Sequence, residues 1–379
     1  MLDVSFKREY VLCFFVEGRF VTMSVYIIAE VGVNHNGSLE LAKKLVESAA
    51  EAGADAVKFQ TFHAEQLASA SAQKAAYQKE KTDAGESQVD MLRKLELPLD
   101  AYPELIALCK GKGVDFLSTP FETDSLRFLV EECHISNIKI PSGEITNGPF
   151  LLEIARTGLP VILSTGMSML GEVETALSVL AYGYLHDDVP NGSGDFVRAY
   201  GEAQKRGILR EKVSLLHCTT EYPAPFDEVN LAAMKTMEHA FGLTVGYSDH
   251  TEGIAIPMAA AARGAEIIEK HFTLDKTLPG PDHKASLSPD ELAEMIRGIR
   301  QIENVIGNGY KAPTLREEAN LVVVRKSLVA KRAIREGEIF SADNLAVKRP
   351  ASGTNPMRYW ELLGKRASCD YEADELIQE

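Results

Sequence analysis

The chain has 379 residues, 45% hydrophobic and 25% charged, enough to bury one large core or two unequal ones. Acidic residues exceed basic ones, 55 to 40, and the net charge of −15 comes with no basic run; nonspecific binding to nucleic acid or an anionic membrane surface is excluded. No apolar stretch reaches the roughly 18 residues that span a bilayer, and the five cysteines without CxxC spacing read as reduced thiols of a cytoplasmic protein.

The first 22 residues show no clear period. Their apolar run, Tyr10 to Val16, is too short for a signal segment and is followed by Glu17 and Arg19. This stretch reads as an artefactual or disordered extension, with an extra edge strand as the alternative.

From Tyr26 a short apolar run alternates with an amphipathic helical stretch. The predicted strands are Tyr26–Val31, Ala56–Phe59, Asp115–Ser118, Asn137–Ile140, Val161–Ser164, Val213–His217, Thr244–Tyr247 and Glu266–Glu269. Each lacks strict alternation, as parallel strands covered on both faces do. The predicted helices include Leu39–Ala52, Tyr102–Lys112, Thr123–Cys133, Gly148–Thr157, Leu231–Ala240, Gly253–Arg263 and Pro289–Ile306. Ser288-Pro289-Asp290-Glu291 opens the last of these with an N-cap, Pro at N1 and acids in the first turn.

This count is that of an α/β protein with a (β/α)8 TIM barrel over residues 23–306; a doubly wound open sheet is the runner-up. Two excursions interrupt it. Thr61–Leu99 follows the second strand, where an active-site loop belongs, and Ala181–Glu211 lies on the opposite side as decoration. Residues 307–324 read as a linker, and 325–379 as a small β-rich domain.

Barrels of this kind keep their chemistry at the C-terminal strand ends. Glu30 ends the first strand, Lys58 and Gln60 the second, and Thr119 the third. Lys139, Ser142 and Glu144 follow from the fourth, Ser164 from the fifth, and Thr220 and Tyr222 from the sixth. Ser248 and His250 end the seventh and His271 the eighth, with Asp282 in a rigid Gly280-Pro281 turn beyond. Two rim lysines ringed by hydroxyls suit a phosphate or carboxylate, and a Schiff-base lysine is the second chemical reading. His250 and His271, on adjacent strands, can share a divalent ion; spacing alone does not separate zinc, cobalt and manganese. Glu30 and Glu144 are candidate general acids or bases, or Glu30 is the ion-pair partner of a lysine.

Ile27-Ile28-Ala29-Glu30-Val31-Gly32-Val33-Asn34-His35-Asn36-Gly37 resembles the opening of the sialic acid synthase family. So do, in the family's order, Val57–Thr61, Lys139–Glu144, Leu163–Met167, Gly246–Thr251, Glu269–Thr273, Pro279–Asp282 and Val347–Pro350. The C-terminal piece is similar to the antifreeze-like (SAF) domain attached to these barrels. The resemblance implies condensation of phosphoenolpyruvate with N-acetylmannosamine or a related 2-acetamido sugar, using Mn²⁺, with Mg²⁺ or Co²⁺ as substitutes.

Carried over by motif, Lys58, Thr119, Lys139, Ser142, Ser164 and Ser248 would hold phosphoenolpyruvate, and His250 and His271 the metal. Gln60, Glu144, Tyr222 and Asp282 would bind the open-chain sugar. Arg349 would reach the site from the other subunit of a domain-swapped homodimer. The stretch His217-Cys218-Thr219-Thr220-Glu221-Tyr222-Pro223 carries Thr220 where sialic acid synthases often have Asn. That departure resembles the legionaminic acid branch, whose substrate is 2,4-diacetamido-2,4,6-trideoxymannose, and this is the alternative acceptor. The competing functions are a Schiff-base sialic acid aldolase and an ice- or glycan-binding protein with an idle barrel.

Overall fold

The computed structural model describes residues 24–69, 72, 74 and 86–379, together with the two-residue strands Phe15–Val16 and Arg19–Phe20. Those two strands pair with each other, antiparallel, and are not an added edge of the main sheet. The other residues of the expected N-terminal extension lie outside the described ones.

Eight parallel strands form the first compact unit, which runs to Gly307. They are β1 (Tyr26–Gly32), β2 (Ala56–Thr61), β3 (Asp115–Pro120), β4 (Ile138–Ile140), β5 (Val161–Ser164), β6 (Val213–Cys218), β7 (Thr244–Asp249) and β8 (Ile267–His271). The ladder runs β3-β2-β1-β8-β7-β6-β5-β4, and its two ends, β3 and β4, lie against each other. The result is a nearly closed α/β barrel. Several strands run one or two residues past their predicted ends, and β8 includes Lys270 and His271.

Alternation along the strands decides what each side chain meets. One parity faces the helices, where Ile27, Ala29, Val57, Phe59, Leu163, Leu215 and Ile268 join the main core. The other parity points into the barrel. There Ile28, Ala56, Leu117, Ile162, Leu216 and Ile267 make a small separate apolar plug. One step further along the same inward parity stand Glu30, Lys58, Thr119, Ser164 and Glu269. Thus an apolar layer supports a charged layer, as a barrel filled with stacked side-chain layers requires.

The helices carry the expected signals. Ser288 caps Pro289–Ile306 in a capping box with Glu291, and Ser38 caps Leu39–Ala52, which Gly53 ends in the left-handed conformation. Three expectations need correction. The predicted helix Thr123–Cys133 is α-helical only to Arg127 and continues as a π turn, Phe128–Glu132. The excursion Ala181–Glu211 starts inside the helix Leu170–Leu185 and then forms two more helices, Ser193–Arg206 and Ile208–Lys212. The expected linker 307–324 ends in a helix, Leu315–Val324, capped by Thr314 and Glu317.

The second unit, Asn308–Glu379, holds an antiparallel pair, β9 (Ser327–Ala330) and β10 (Leu345–Lys348). Leu328, Ile334, Phe340, Leu345, Tyr371 and Ile377 form its own core. Among the described residues no helix is long and apolar enough to cross a membrane.

Gly246 on β7 faces the barrel plug, and a Cβ there would lie 2.4 Å from the Ile267 carbonyl oxygen and 2.7 Å from Leu216 Cδ2. Backbone cannot yield cheaply. Gly246→Ala should therefore cost about 2–3 kcal/mol in urea unfolding with the m-value unchanged; a loss under about 0.5 kcal/mol would contradict this packing.

Candidate active site

A cavity of about 430 Å³ opens at the C-terminal ends of the strands. Its wall includes Glu30, Lys58, Gln60, Thr119, Lys139, Ser142, Ser164, Thr220, Tyr222, Ser248, His250, His271 and Asp282. All of these were singled out from the sequence. The loop after β2 closes one side with Leu67, Met91, Leu92 and Leu95.

The sequence reading missed Glu269, which is the hub of the site. Its Oε2 lies 2.8 Å from Lys58 Nζ and its Oε1 3.6 Å from Lys139 Nζ. Ser248 Oγ donates to Oε1 at 2.8 Å. On its other flank Lys58 meets Glu30 Oε2 at 2.6 Å, and Gln60 Nε2 donates to Glu30 Oε1 at 3.2 Å. Lys139 Nζ donates to Ser164 Oγ at 2.6 Å. The signal was present: Glu269 lies two residues before His271 on one strand, so both share the inward parity. Predicting that β8 stops at Glu269 hid this.

The alternating cluster Glu30–Lys58–Glu269–Lys139 is almost wholly buried. Burial pushes the Lys58 ammonium down to about 7, against the pull of Glu269. Burial pushes the Glu269 carboxyl up, but Lys139 and Lys58 outweigh it and hold it below the ordinary carboxylate range. Two cations and two carboxylates leave the cluster near neutral, so an arriving anion must compete with Glu30 and Glu269 for the lysines.

Beside the cluster, neutral donors converge. Ser142 Oγ accepts from the Gly166 N–H at 2.9 Å and lies 3.2 Å from Cys218 Sγ. The buried Thr119 Oγ1 and Thr220 Oγ1 have no hydrogen-bond partner within the described residues. Such orphaned hydroxyls are costly unless a ligand meets them.

His250 and His271 face the cavity with ring centroids 5.6 Å apart, and Tyr222 packs on His250 at 4.1 Å. His250 Nδ1 lies 2.6 Å from the Thr219 carbonyl, to which it must donate. That bond leaves Nε2 as a bare lone pair. Burial pushes His250 down to about 4; burial and then His250 push His271 well below its ordinary value. His271 Nδ1 is buried without a hydrogen-bond partner, 4.0 Å from Asp282 Oδ2. Two neutral, oriented imidazoles fit a divalent cation. No group of three or more His, Cys, Asp or Glu suited to a metal occurs among the described residues, so water or substrate would complete the shell.

Two predicted residues lie elsewhere. Glu144 is not part of the cavity wall; its carboxylate accepts from Asn147 Nδ2 at 2.7 Å. Arg349 belongs to the second unit, where its Nε donates to the Val324 carbonyl at 2.9 Å.

Residues 45–311 match the NeuB family and residues 325–379 the SAF domain. An N,N'-diacetyllegionaminic acid synthase of Campylobacter jejuni subsp. jejuni is 53% identical over 353 residues, covering 93% of this chain and 98% of that one. Its namesake from Legionella pneumophila is 42% identical over 358 residues, 94% of each chain. A crystal structure of N-acetylneuraminic acid (sialic acid) synthetase from Leptospira borgpetersenii in complex with citrate has a TM-score of 0.65 at 33% identity. It covers 78% of this chain and 90% of that one. The two sequence relatives carry the name of the alternative branch, not that of the main reading.

Glu269→Gln removes the charge that two buried lysines share. The expected cost is about 3 kcal/mol of unfolding free energy, read from the urea midpoint; a cost below about 1 kcal/mol would mean that Glu30 alone compensates Lys58.

Proposed function

The chain belongs to the NeuB family, followed by a SAF domain, and from that premise we propose that it is a nonulosonic acid synthase. It joins phosphoenolpyruvate to an open-chain 2,4-diacetamido-2,4,6-trideoxy sugar and releases phosphate. The observation that carries the donor half is the pair Lys58 and Lys139, bridged by Glu269 at 2.8 and 3.6 Å with hydroxyls around them. The acceptor half rests on the two legionaminic acid synthase relatives at 53% and 42% identity.

The donor carries a carboxylate and a phosphate, and the two lysines are the cations of the cavity wall. Anion binding pulls each ammonium away from its carboxylate partner, while Ser142, Ser164 and Thr119 offer neutral donors. The enol carbon forms the new C–C bond with the sugar's aldehyde carbon; its electrons come from the enol double bond, while the aldehyde π pair moves onto its oxygen, which takes a proton and becomes a hydroxyl. Water adds to the carbon that bears the phosphate; the C–O bond to phosphate then breaks, and phosphate leaves with the electron pair. Glu30 is the wall carboxylate that can take the proton of that water, since Lys139 and Lys58 hold Glu269 below the ordinary carboxylate range, and Glu144 does not fit the role from its position against Asn147. A divalent cation held by His250 and His271 would supply Lewis acidity at the aldehyde oxygen. Enclosure of the site strengthens each of these charge interactions.

Phosphate release decides the matter. With phosphoenolpyruvate present, kcat/KM for 2,4-diacetamido-2,4,6-trideoxymannose should exceed that for N-acetylmannosamine or its 6-phosphate by at least about tenfold. Chelation with EDTA should abolish turnover, and Mn²⁺ should restore it. No phosphate release with any of the three sugars would refute the synthase reading. Borohydride trapping of pyruvate on Lys58 or Lys139 would replace it with the aldolase.

A pH profile follows from Lys58. In the free enzyme this ammonium is charged below about 7 and neutral above. The donor binds the charged form, so kcat/KM for phosphoenolpyruvate should fall as pH rises through that value, approaching about tenfold per unit. A flat profile between pH 6 and 9 would show that Lys58 does not meet the donor as a cation.

A further inference from the structure

Behind the two imidazoles, on the helix-facing side of the barrel, lies a second buried ion pair that takes no part in the cavity. Lys270 Nζ is 2.5 Å from Asp249 Oδ2, and both side chains are fully buried. The same ammonium donates to the Thr251 carbonyl. Asp249 is itself fixed by Tyr247 Oη at 3.1 Å, by the Thr251 N–H at 3.1 Å and by Thr251 Oγ1 at 3.1 Å.

The placement has a geometric consequence. Lys270 grips residues 249 and 251, the two neighbours of His250, and it is the residue before His271. Lys270 and Asp249 face each other in the β7–β8 register, and theirs is the last pair of that ladder. His250 and His271 project one residue beyond, to the inner face, where no ladder bond between these strands fixes their separation. A buried ion pair is weak support for stability, since apolar residues of similar volume often serve as well. Its place between the strands that carry both histidines points to another role.

We infer that Lys270 and Asp249 are positioning residues that set the spacing of His250 and His271 for a shared divalent cation. This rests on the reading of the two histidines as metal ligands. Outer groups that position metal-binding imidazoles are worth about 10–100-fold in affinity, and here one ammonium would act on both through the backbone that carries them.

The test is titration of the full-length, metal-free protein with Mn²⁺ alone, following the EPR signal of the free ion. The neutral double variant Lys270→Met/Asp249→Asn keeps an acceptor for Tyr247 and Thr251. It should melt cooperatively and bind Mn²⁺ at least about tenfold more weakly than the wild type. Lys270→Gln/Asp249→Asn, whose glutamine amide restores two N–H donors at this position, should recover part of that loss. Excess Mn²⁺ should restore the double variant's turnover, which a merely structural defect would not allow. Wild-type affinity in the folded double variant would overturn the inference. Should that variant not fold, Tyr247→Phe, which removes one hydroxyl from Asp249, should weaken Mn²⁺ about threefold; unchanged affinity there would equally overturn it. Mn²⁺ binding that persists in His271→Ala would instead overturn the metal reading beneath it.

Discussion

Glu269 sits where two buried lysines need a counter-charge. Lys58 and Lys139 come from β2 and β4, on different parts of the barrel wall, and the Glu269 carboxylate on β8 reaches both, at 2.8 and 3.6 Å. An isolated buried ammonium would shed its proton to escape the desolvation cost. Glu269 opposes this for Lys58, whose ammonium burial still pushes down to about 7. Ser248 and Glu30 orient the flanks. The barrel must therefore close in one register, because a slip of one residue on β8 would turn Glu269 to the helices and leave both cations unpaired.

That constraint also organises the chemistry. The cluster is balanced before substrate arrives, and its lysines meet an anion only as they are drawn off their carboxylate partners. The two imidazoles stand on the same wall as Glu269, on the same β7 and β8 pair that the Lys270–Asp249 clamp ties together. Charge for the donor and lone pairs for a cation thus arise from one strand pair. The apolar plug of Ile28, Leu117, Leu216 and Ile267 beneath them keeps water from entering from below.

Much of this was legible in the sequence because parallel strands declare themselves as short apolar runs and their ends as polar clusters. The barrel and the cavity residues follow from those two signals, and the helix Pro289–Ile306 from its N-cap serine, its Pro at N1 and its first-turn acids. What escaped did so for physical reasons. Glu269 reads as the last residue of an apolar strand, and only the parity it shares with His271 betrays it. The π turn Phe128–Glu132 has ordinary helical composition, so no residue in it announces the departure. Glu144 stands in the right motif but faces Asn147, a rotamer choice that no spacing records. The helix Leu315–Val324 hides behind a Gly-rich approach, although Thr314 and Glu317 form a legible capping box.

The central claim is that Lys58 and Lys139 form an anion site kept poised by buried carboxylates. NMR of protein labelled with ¹³C at the lysine Cε carbons tests it most directly, with resonances assigned through Lys58→Arg and Lys139→Arg. The account predicts that Lys58 titrates at about 7 in the free protein. Saturation with phosphoenolpyruvate should raise that midpoint by at least about one unit, because the donor favours the charged form. A Lys58 midpoint at the ordinary lysine value, about 10.4, or one that phosphoenolpyruvate leaves unmoved, would contradict it.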